Sequence, residues 1–369
     1  MNPLPRFRQS GQYLWLDYLR RSLIVNGRLR RLVNEDGLGG VTSNPTIVAR
    51  AIAESPDYDA GLRRALEVNR DVSNRALAQR LVVEDIQLAA DTLRPVYNDT
   101  NGENGFVSLE LSPSVAHDTY ATVAEARLLW RELARPNVML KVPASSEGIP
   151  AVEALTAEGI NVNITLMFSI EHYEAMAHAY LRGLARLTDP RRVVSVASVF
   201  VSRLDVETDR LLDAIGSSAA LSLRGRVAVA SARRIYRRFR EIFHGEPFAA
   251  LKRRGARIQR PLWVSTGTKS ASYSDVFYLE ALIGPDTIAA VAPATIAAFR
   301  DHGRVRVALG TDREAEADVV LASASALGLD LHVIAEKLQE DAIQECADAS
   351  EQLLASLAEK RRHMLTLVS

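Results

Sequence analysis

The stretch VMLKVPASSEGIPAVEALTAEGINVNITLMF (138–168) opens and closes on short apolar segments, VMLKVP (138–143) and NVNITLMF (161–168), with a longer interval between them. Short strand-like runs alternating with stretches of helical period mark parallel strands joined by crossover helices. Strand side chains alternate between faces, so Asn161, Asn163 and Thr165 share one face and Val162, Ile164 and Leu166 the other. Working outward, YLWLD (13–17), GVTSN (40–44), FVSLEL (106–111), VVSVASVF (193–200), PLWVST (261–266) and TIAAVA (287–292) complete a set of eight such segments. FVSLEL divides in the same way, setting Ser108 and Glu110 apart from Val107, Leu109 and Leu111. Eight strand–helix units predict an α/β fold, a single (β/α)8 TIM-type barrel domain over residues 1–369, with one face of each strand lining the lumen. Asp118 to Leu133 and Leu204 to Ile215 carry apolar residues at three- and four-residue steps, and Ser169 precedes a further helix. Extra helices are expected in two places. Between strands two and three, residues 54–94 read as two helices followed by the turn-rich PVYNDTNGENG (95–105), and residues 314–362 read as terminal helices covering one barrel end.

The chain has 369 residues, 47% apolar and 24% charged, enough for a large core. Lys+Arg and Asp+Glu balance at 45 each, so no overall field draws the protein to nucleic acid or to an anionic membrane, and any phosphate site is local. The N-terminal MNPLPRFRQSGQ lacks an apolar signal core, and nowhere do eighteen uncharged apolar residues run together; a soluble, cytoplasmic protein is expected. Cys346, the single cysteine, shares a helical apolar period with Ile343 and Leu353 and reads as a buried thiol. In the basic run RRIYRRFREIF (233–243), Ile235, Tyr236, Phe239 and Phe243 fall at helical spacing, which makes the arginines a solvated outer face. STGTKS (265–270) lacks the glycine that a phosphate loop needs before its lysine, Thr268 standing there instead. His172 and His178 do not have zinc-ligand spacing, and neither a metal nor a cofactor is expected.

In such a barrel, chemistry belongs at the C-terminal ends of the strands. Those ends supply Asp17, Thr42 with Asn44, Glu110, Lys141, Asn163 with Thr165, Ser198, and Ser265 with Thr266. Lys141 stands between Val138, Met139 and Leu140 on one side and Val142 and Pro143 on the other, so its ammonium meets water only through the lumen. Burial disfavours the charged form of a lysine, and a neutral amine is what attacks a carbonyl. The competing reading is a structural ion pair between Lys141 and one of the carboxylates Glu110 and Asp17.

The strings LWLDYLRR (14–21), GVTSNPTI (40–47), GFVSLELSP (105–113), KVPAS (141–145), GINVNITLMFS (159–169), SVASVFVSRLD (195–205), STGTK (265–269) and LIGPDTI (282–288), in this order, together resemble the transaldolase family in its longer bacterial form. The tail LQEDAIQECADASEQLLASLAEKR (338–361) is similar to that family's C-terminal helices. The resemblance implies a metal-free, cofactor-free enzyme on a permuted barrel that moves a three-carbon ketol unit between sugar phosphates in the pentose phosphate pathway. It implies Lys141 as the Schiff-base residue, Asp17 as the base that takes the proton from the C4 hydroxyl, and Glu110 acting through a water shared with Thr165 on the carbinolamine hydroxyl. Asn44, Asn163, Thr42 and Ser43 would hold the dihydroxyacetone fragment. Ser198, Phe200 and Arg203 of SVFVSR, with Lys269 of STGTK, would line the phosphate end, an arginine fork suiting two phosphate oxygens. Two positions depart from the family pattern: Asn98 stands where aspartate is common, and Ser231 where asparagine is expected.

Two alternatives remain at this point. One is a fructose 6-phosphate-type class I aldolase that cleaves without transferring; the other is a non-catalytic barrel that binds sugar phosphates. The terminal helices would cover either a neighbouring subunit in a homo-oligomer or the chain's own barrel.

Overall fold

A computed structural model describes residues 2–310 and 313–366. Eight parallel strands close on themselves in sequence order, β1 pairing with β8. β1 (Gln12–Asp17) leads to α1 (Arg21–Val25) and α2 (Arg28–Asp36), and β2 (Leu38–Thr42) to α3 (Pro45–Glu54), α4 (Asp59–Val68) and α5 (Asn74–Asp99). β3 (Phe106–Glu110), β4 (Val138–Pro143) and β5 (Val162–Met167) are followed by α6 (Thr119–Leu133), α7 (Gly148–Ala157) and α8 (Ile170–Arg186). After β6 (Ser195–Phe200) come α9 (Ser202–Ile215), α10 (Ser218–Leu221), α11 (Val227–Phe243) and α12 (Glu246–Arg253). β7 (Arg260–Val264) precedes α13 (Phe277–Ala281), and β8 (Thr287–Val291) precedes α14 (Pro293–His302), α15 (Arg313–Ala326) and α16 (Leu331–Thr366). All eight expected strands are present, each end within two residues of its sequence estimate. No single helix among the described residues is long and apolar enough to cross a membrane.

Strand alternation sorts the apolar residues into two cores. One parity packs outward against the helices: Leu14, Leu16, Val107, Leu140, Val142, Val162 and Ile164 belong to the large outer cluster. The other parity fills the lumen, where Trp15, Phe106, Met139, Val196, Leu262 and Ile288 from six different strands form one cluster. Two residues further along β1, β3, β4 and β6, the same inward parity gives Asp17, Ser108, Lys141 and Ser198, so an apolar layer floors a polar one. Gly40 admits the Trp15 indole, for a Cβ at that position would lie 2.5 Å from the ring. The indole Nε1 donates to Asn104 Oδ1 at 2.9 Å.

The helices after β2 dock through a buried polar knot. Arg21 Nε donates to Asp85 Oδ1 at 2.6 Å, and the Tyr58 hydroxyl donates to Asp85 Oδ2 at 2.7 Å.

Three sequence expectations are corrected. The turn-rich reading of PVYNDT fails for its first part: α5 continues through Pro95 to Asp99. A proline costs one helical hydrogen bond, but Tyr97 beyond it packs edge-on against Phe106 at 5.4 Å and holds the last turn. The arginines of α11 are not merely a solvated face, because α15 lies against them: Arg237 pairs with Asp318 at 2.7 Å, Arg233 with Glu316 at 3.9 Å, and Arg240 with Glu314. Ile235, Tyr236, Phe239 and Phe243 are buried on the opposite side, as the spacing predicts. Cys346 is half-buried rather than buried, with burial pushing its thiol up to about 12. The two terminal helices take different places. α15 packs on α11, whereas α16 crosses α3, α5 and α9 and reaches β5 of its own barrel.

Candidate active site

Lys141 lies near the end of β4, directly beside Glu110 of β3 and Asn163 of β5. Only 6% of it is exposed. Its Nζ donates to the Ser43 carbonyl at 3.0 Å and forms an ion pair with Glu110 Oε2. The carboxylate partner left open by the sequence is therefore Glu110. Asp17, closing β1 beside Thr42 of β2, completes the charged group. Burial raises the Asp17 carboxyl above its ordinary value; Lys141 opposes that rise, Glu110 adds to it, and Arg203 and Lys269 oppose it more weakly. Four charges thus act on Asp17.

Beneath them runs a hydrogen-bonded belt. Ser198 Oγ donates to Asn163 Oδ1 at 2.6 Å, and Asn163 Nδ2 donates to Ser108 Oγ at 2.9 Å. The Ser198 hydroxyl, expected at the phosphate end beside Arg203, is engaged with Asn163 inside the lumen. Asn163 is orientated by both neighbours. Thr165 is buried, and its hydroxyl oxygen has no hydrogen-bond partner among the described residues. Thr42 and Ser43 are buried as well. Asn44 caps α3, its Oδ1 accepting from the Ile47 amide at 3.0 Å. Phe200 packs its ring 5.2 Å from that of Phe168, and the Arg203 guanidinium sits 5.7 Å from the Phe200 centroid. Lys269 is exposed in the loop after β7. Two residues at the strand ends take left-handed backbone, Leu166 at φ 57 and Ser265 at φ 56, strained positions of the kind that gather at functional sites.

The sequence does not reveal the contribution of α16. Gln339 Nε2 donates to the carbonyl of strained Leu166 at 2.8 Å. Glu345 pairs with Arg203 at 2.8 Å. Ile343 and Cys346 help to enclose a cavity of ≈ 20 Å³ beside Lys141 and Glu110, about the room one water needs. The apolar period marked these residues as helical, but nothing local marked their partners.

A family model described as Transaldolase/Fructose-6-phosphate aldolase matches residues 14–357, from β1 into α16. The chain belongs to this transaldolase family. A transaldolase from Thiobacillus denitrificans is 44% identical over 361 residues, covering 97% of this chain and 100% of that protein. One from Thermobifida fusca is 41% identical, covering 97% and 98%, and one from Mycobacterium bovis is 38% identical, covering 99% and 98%. Within this transaldolase-family chain, the two departures noted in the sequence lie on helices. Asn98 is exposed near the end of α5, accepting from Arg94 Nε at 3.1 Å, and Ser231 is half-buried on α11.

Proposed function

We propose that the chain is a transaldolase that transfers a dihydroxyacetone unit from sedoheptulose 7-phosphate to glyceraldehyde 3-phosphate, giving erythrose 4-phosphate and fructose 6-phosphate, through a Schiff base on Lys141. The observation that carries this reading is a buried amine in contact with one carboxylate, with a second carboxylate acting on it across the same lumen. A proton passed from the Lys141 ammonium to Glu110 leaves a neutral nucleophile and a carboxylic acid side by side. The amine attacks the ketose C2 carbonyl to form a carbinolamine. Glu110, working through a water that Thr165 also holds, protonates the departing hydroxyl, and loss of water gives the iminium.

Asp17 then removes the C4 hydroxyl proton. The C3–C4 bond breaks, its electron pair moves into an enamine on the Lys141 nitrogen, and the aldose leaves. A carboxyl held above its usual range is the stronger base for this step. Asn44 and Asn163, with Thr42 and Ser43 at the same edge, keep the three-carbon fragment until the acceptor aldehyde arrives, when Asp17 returns the proton. Retention separates transfer from simple cleavage. Arg203, Phe200 and Lys269 form the phosphate end, where Arg203 offers a planar fork of donors; Ser198 serves through the belt that orientates Asn163.

Trapping tests the reading directly. After incubation with fructose 6-phosphate and borohydride, mass spectrometry of the digest is expected to find a reduced three-carbon adduct on Lys141 and none in Lys141→Ala. An adduct on another lysine, or normal transfer by Lys141→Ala, would overturn it. Release of free dihydroxyacetone at the rate of transfer to erythrose 4-phosphate would instead assign the chain to the cleaving aldolases.

A further inference from the structure

The barrel has a second mouth, at the N-terminal ends of its strands. Below the Trp15 layer, a cavity of ≈ 630 Å³ opens among residues that precede or begin β1, β3, β6, β7 and β8. Small-molecule sites run about 300–1,000 Å³. Four arginines line it, Arg8, Arg191, Arg257 and Arg260, against two carboxylates, Glu103 and Asp286.

Arg260 is the telling residue. It is the first residue of β7 and shares the inward parity of Leu262 and Val264, so its side chain enters the lumen from below. It is 7% exposed, lies 5.2 Å from the centroid of the Tyr13 ring, and donates Nη2 to the Glu103 carbonyl. Among the described residues no carboxylate lies within ion-pair distance of it. Glu103 and Asp286 act on it only from across the cavity; a buried charge with no counter-ion in contact is costly, and an apolar side chain would serve the barrel floor equally well. Arg257 adds a second unmet demand: its Nε donates to the Arg191 carbonyl at 2.9 Å and its Nη2 to the Asn101 carbonyl, while Nη1 is buried with no partner among the described residues. Those two carbonyl bonds fix the guanidinium plane. Arg191 is already neutralised by Asp189 at 2.8 Å, which leaves Arg8, Arg257 and Arg260 as the available positive charge.

We propose that this N-terminal mouth binds a phosphorylated small molecule, at a site separate from the Lys141 mouth, with Arg257 and Arg260 holding the phosphate. Two guanidinium groups lining one cavity, each with donors beyond those given to backbone carbonyls, suit the several oxygens of a phosphate better than the two of a carboxylate. The tyrosine face beside Arg260 offers an apolar wall for the rest of the ligand.

The test is calorimetric titration of the full chain with inorganic pyrophosphate in the Arg203→Ala background, which removes the guanidinium of the proposed substrate-phosphate end. One binding event is expected that weakens roughly tenfold or more in Arg257→Ala and in Arg260→Met, the loss of a charged hydrogen-bond donor. A chain that keeps Arg203 is expected to show a further event at the Lys141 mouth, which Arg257→Ala leaves unchanged. Asp286→Asn is expected to bind more tightly, a gain that a purely structural role for these arginines does not produce. Arg257 lies at the half-exposed rim, so its variant folds even where Arg260→Met does not. Absence of pyrophosphate binding in the Arg203→Ala chain, or binding there that Arg257→Ala leaves unchanged, would overturn the proposal.

Discussion

Glu345 holds the guanidinium that the proposed phosphate end requires, so a substrate phosphate must displace it. The pair is 2.8 Å long, with the side chains 37% and 58% exposed. An ion pair this open to solvent contributes about 0.2–1 kcal/mol. Removing the competitor in Glu345→Ala is therefore expected to lower KM for fructose 6-phosphate by about 1.4- to 5-fold, with kcat unchanged. Arg203→Ala loses charged hydrogen bonds worth about 1.5–3 kcal/mol, which raises KM about 10- to 150-fold. With Arg203 already removed, Glu345 has nothing to compete for, and its substitution should then have no effect. Steady-state transfer to erythrose 4-phosphate measures all four proteins. The reasoning is refuted if Glu345→Ala raises KM, or if it lowers KM to the same degree in the Arg203→Ala background.

Gly40→Ala places a methyl carbon within 2.5 Å of the Trp15 indole and is expected to destabilise the barrel by about 1–3 kcal/mol in urea unfolding; an unchanged midpoint would mean that the ring is free to move. Asp85→Ala strips Arg21 and Tyr58 of a shared acceptor at 2.6 and 2.7 Å and should cost about 3 kcal/mol, the low end for a broken buried pair because Glu84 still meets Arg21 at 3.0 Å. Asp205, whose Oδ1 accepts from the Ala228 amide at 2.8 Å, is pushed up to about 7 by burial. Its folded value lies above the unfolded one, about 3.9, so the protonated form stabilises the fold and that contribution is lost as pH rises towards 7. Calorimetry across this range should show Asp205→Asn gaining on the native chain as pH rises; a constant difference would rule out titration of Asp205 as the cause.

The strands were legible because closed parallel sheets bury both faces, so each appears as an apolar run, and a polar residue inside such a run stands out. Lys141, Glu110 and Asn163 were found in that way, and the register sets them side by side. Period alone gives the face of a helix and not what meets it. Hence the tail reads as helical, while the contact of Gln339, Ile343, Glu345 and Cys346 with the Lys141 mouth leaves no mark in the sequence. The same holds for the α11 arginines, whose partners on α15 lie far along the chain. Ser198 shows a finer limit. Its place near a strand end was correct, but alternation cannot tell whether a lumen hydroxyl faces an incoming ligand or a neighbouring amide, and here Asn163 takes it. At Pro95 a local rule lost to packing beyond it.

Trp15, Phe106 and Met139 fill the tube between its two ends. The barrel thus carries a vestibule at each end, with an apolar layer between them. Substitutions in the lower vestibule can alter its charge and shape while the upper keeps its chemistry, which gives the scaffold two surfaces free to diverge at different rates.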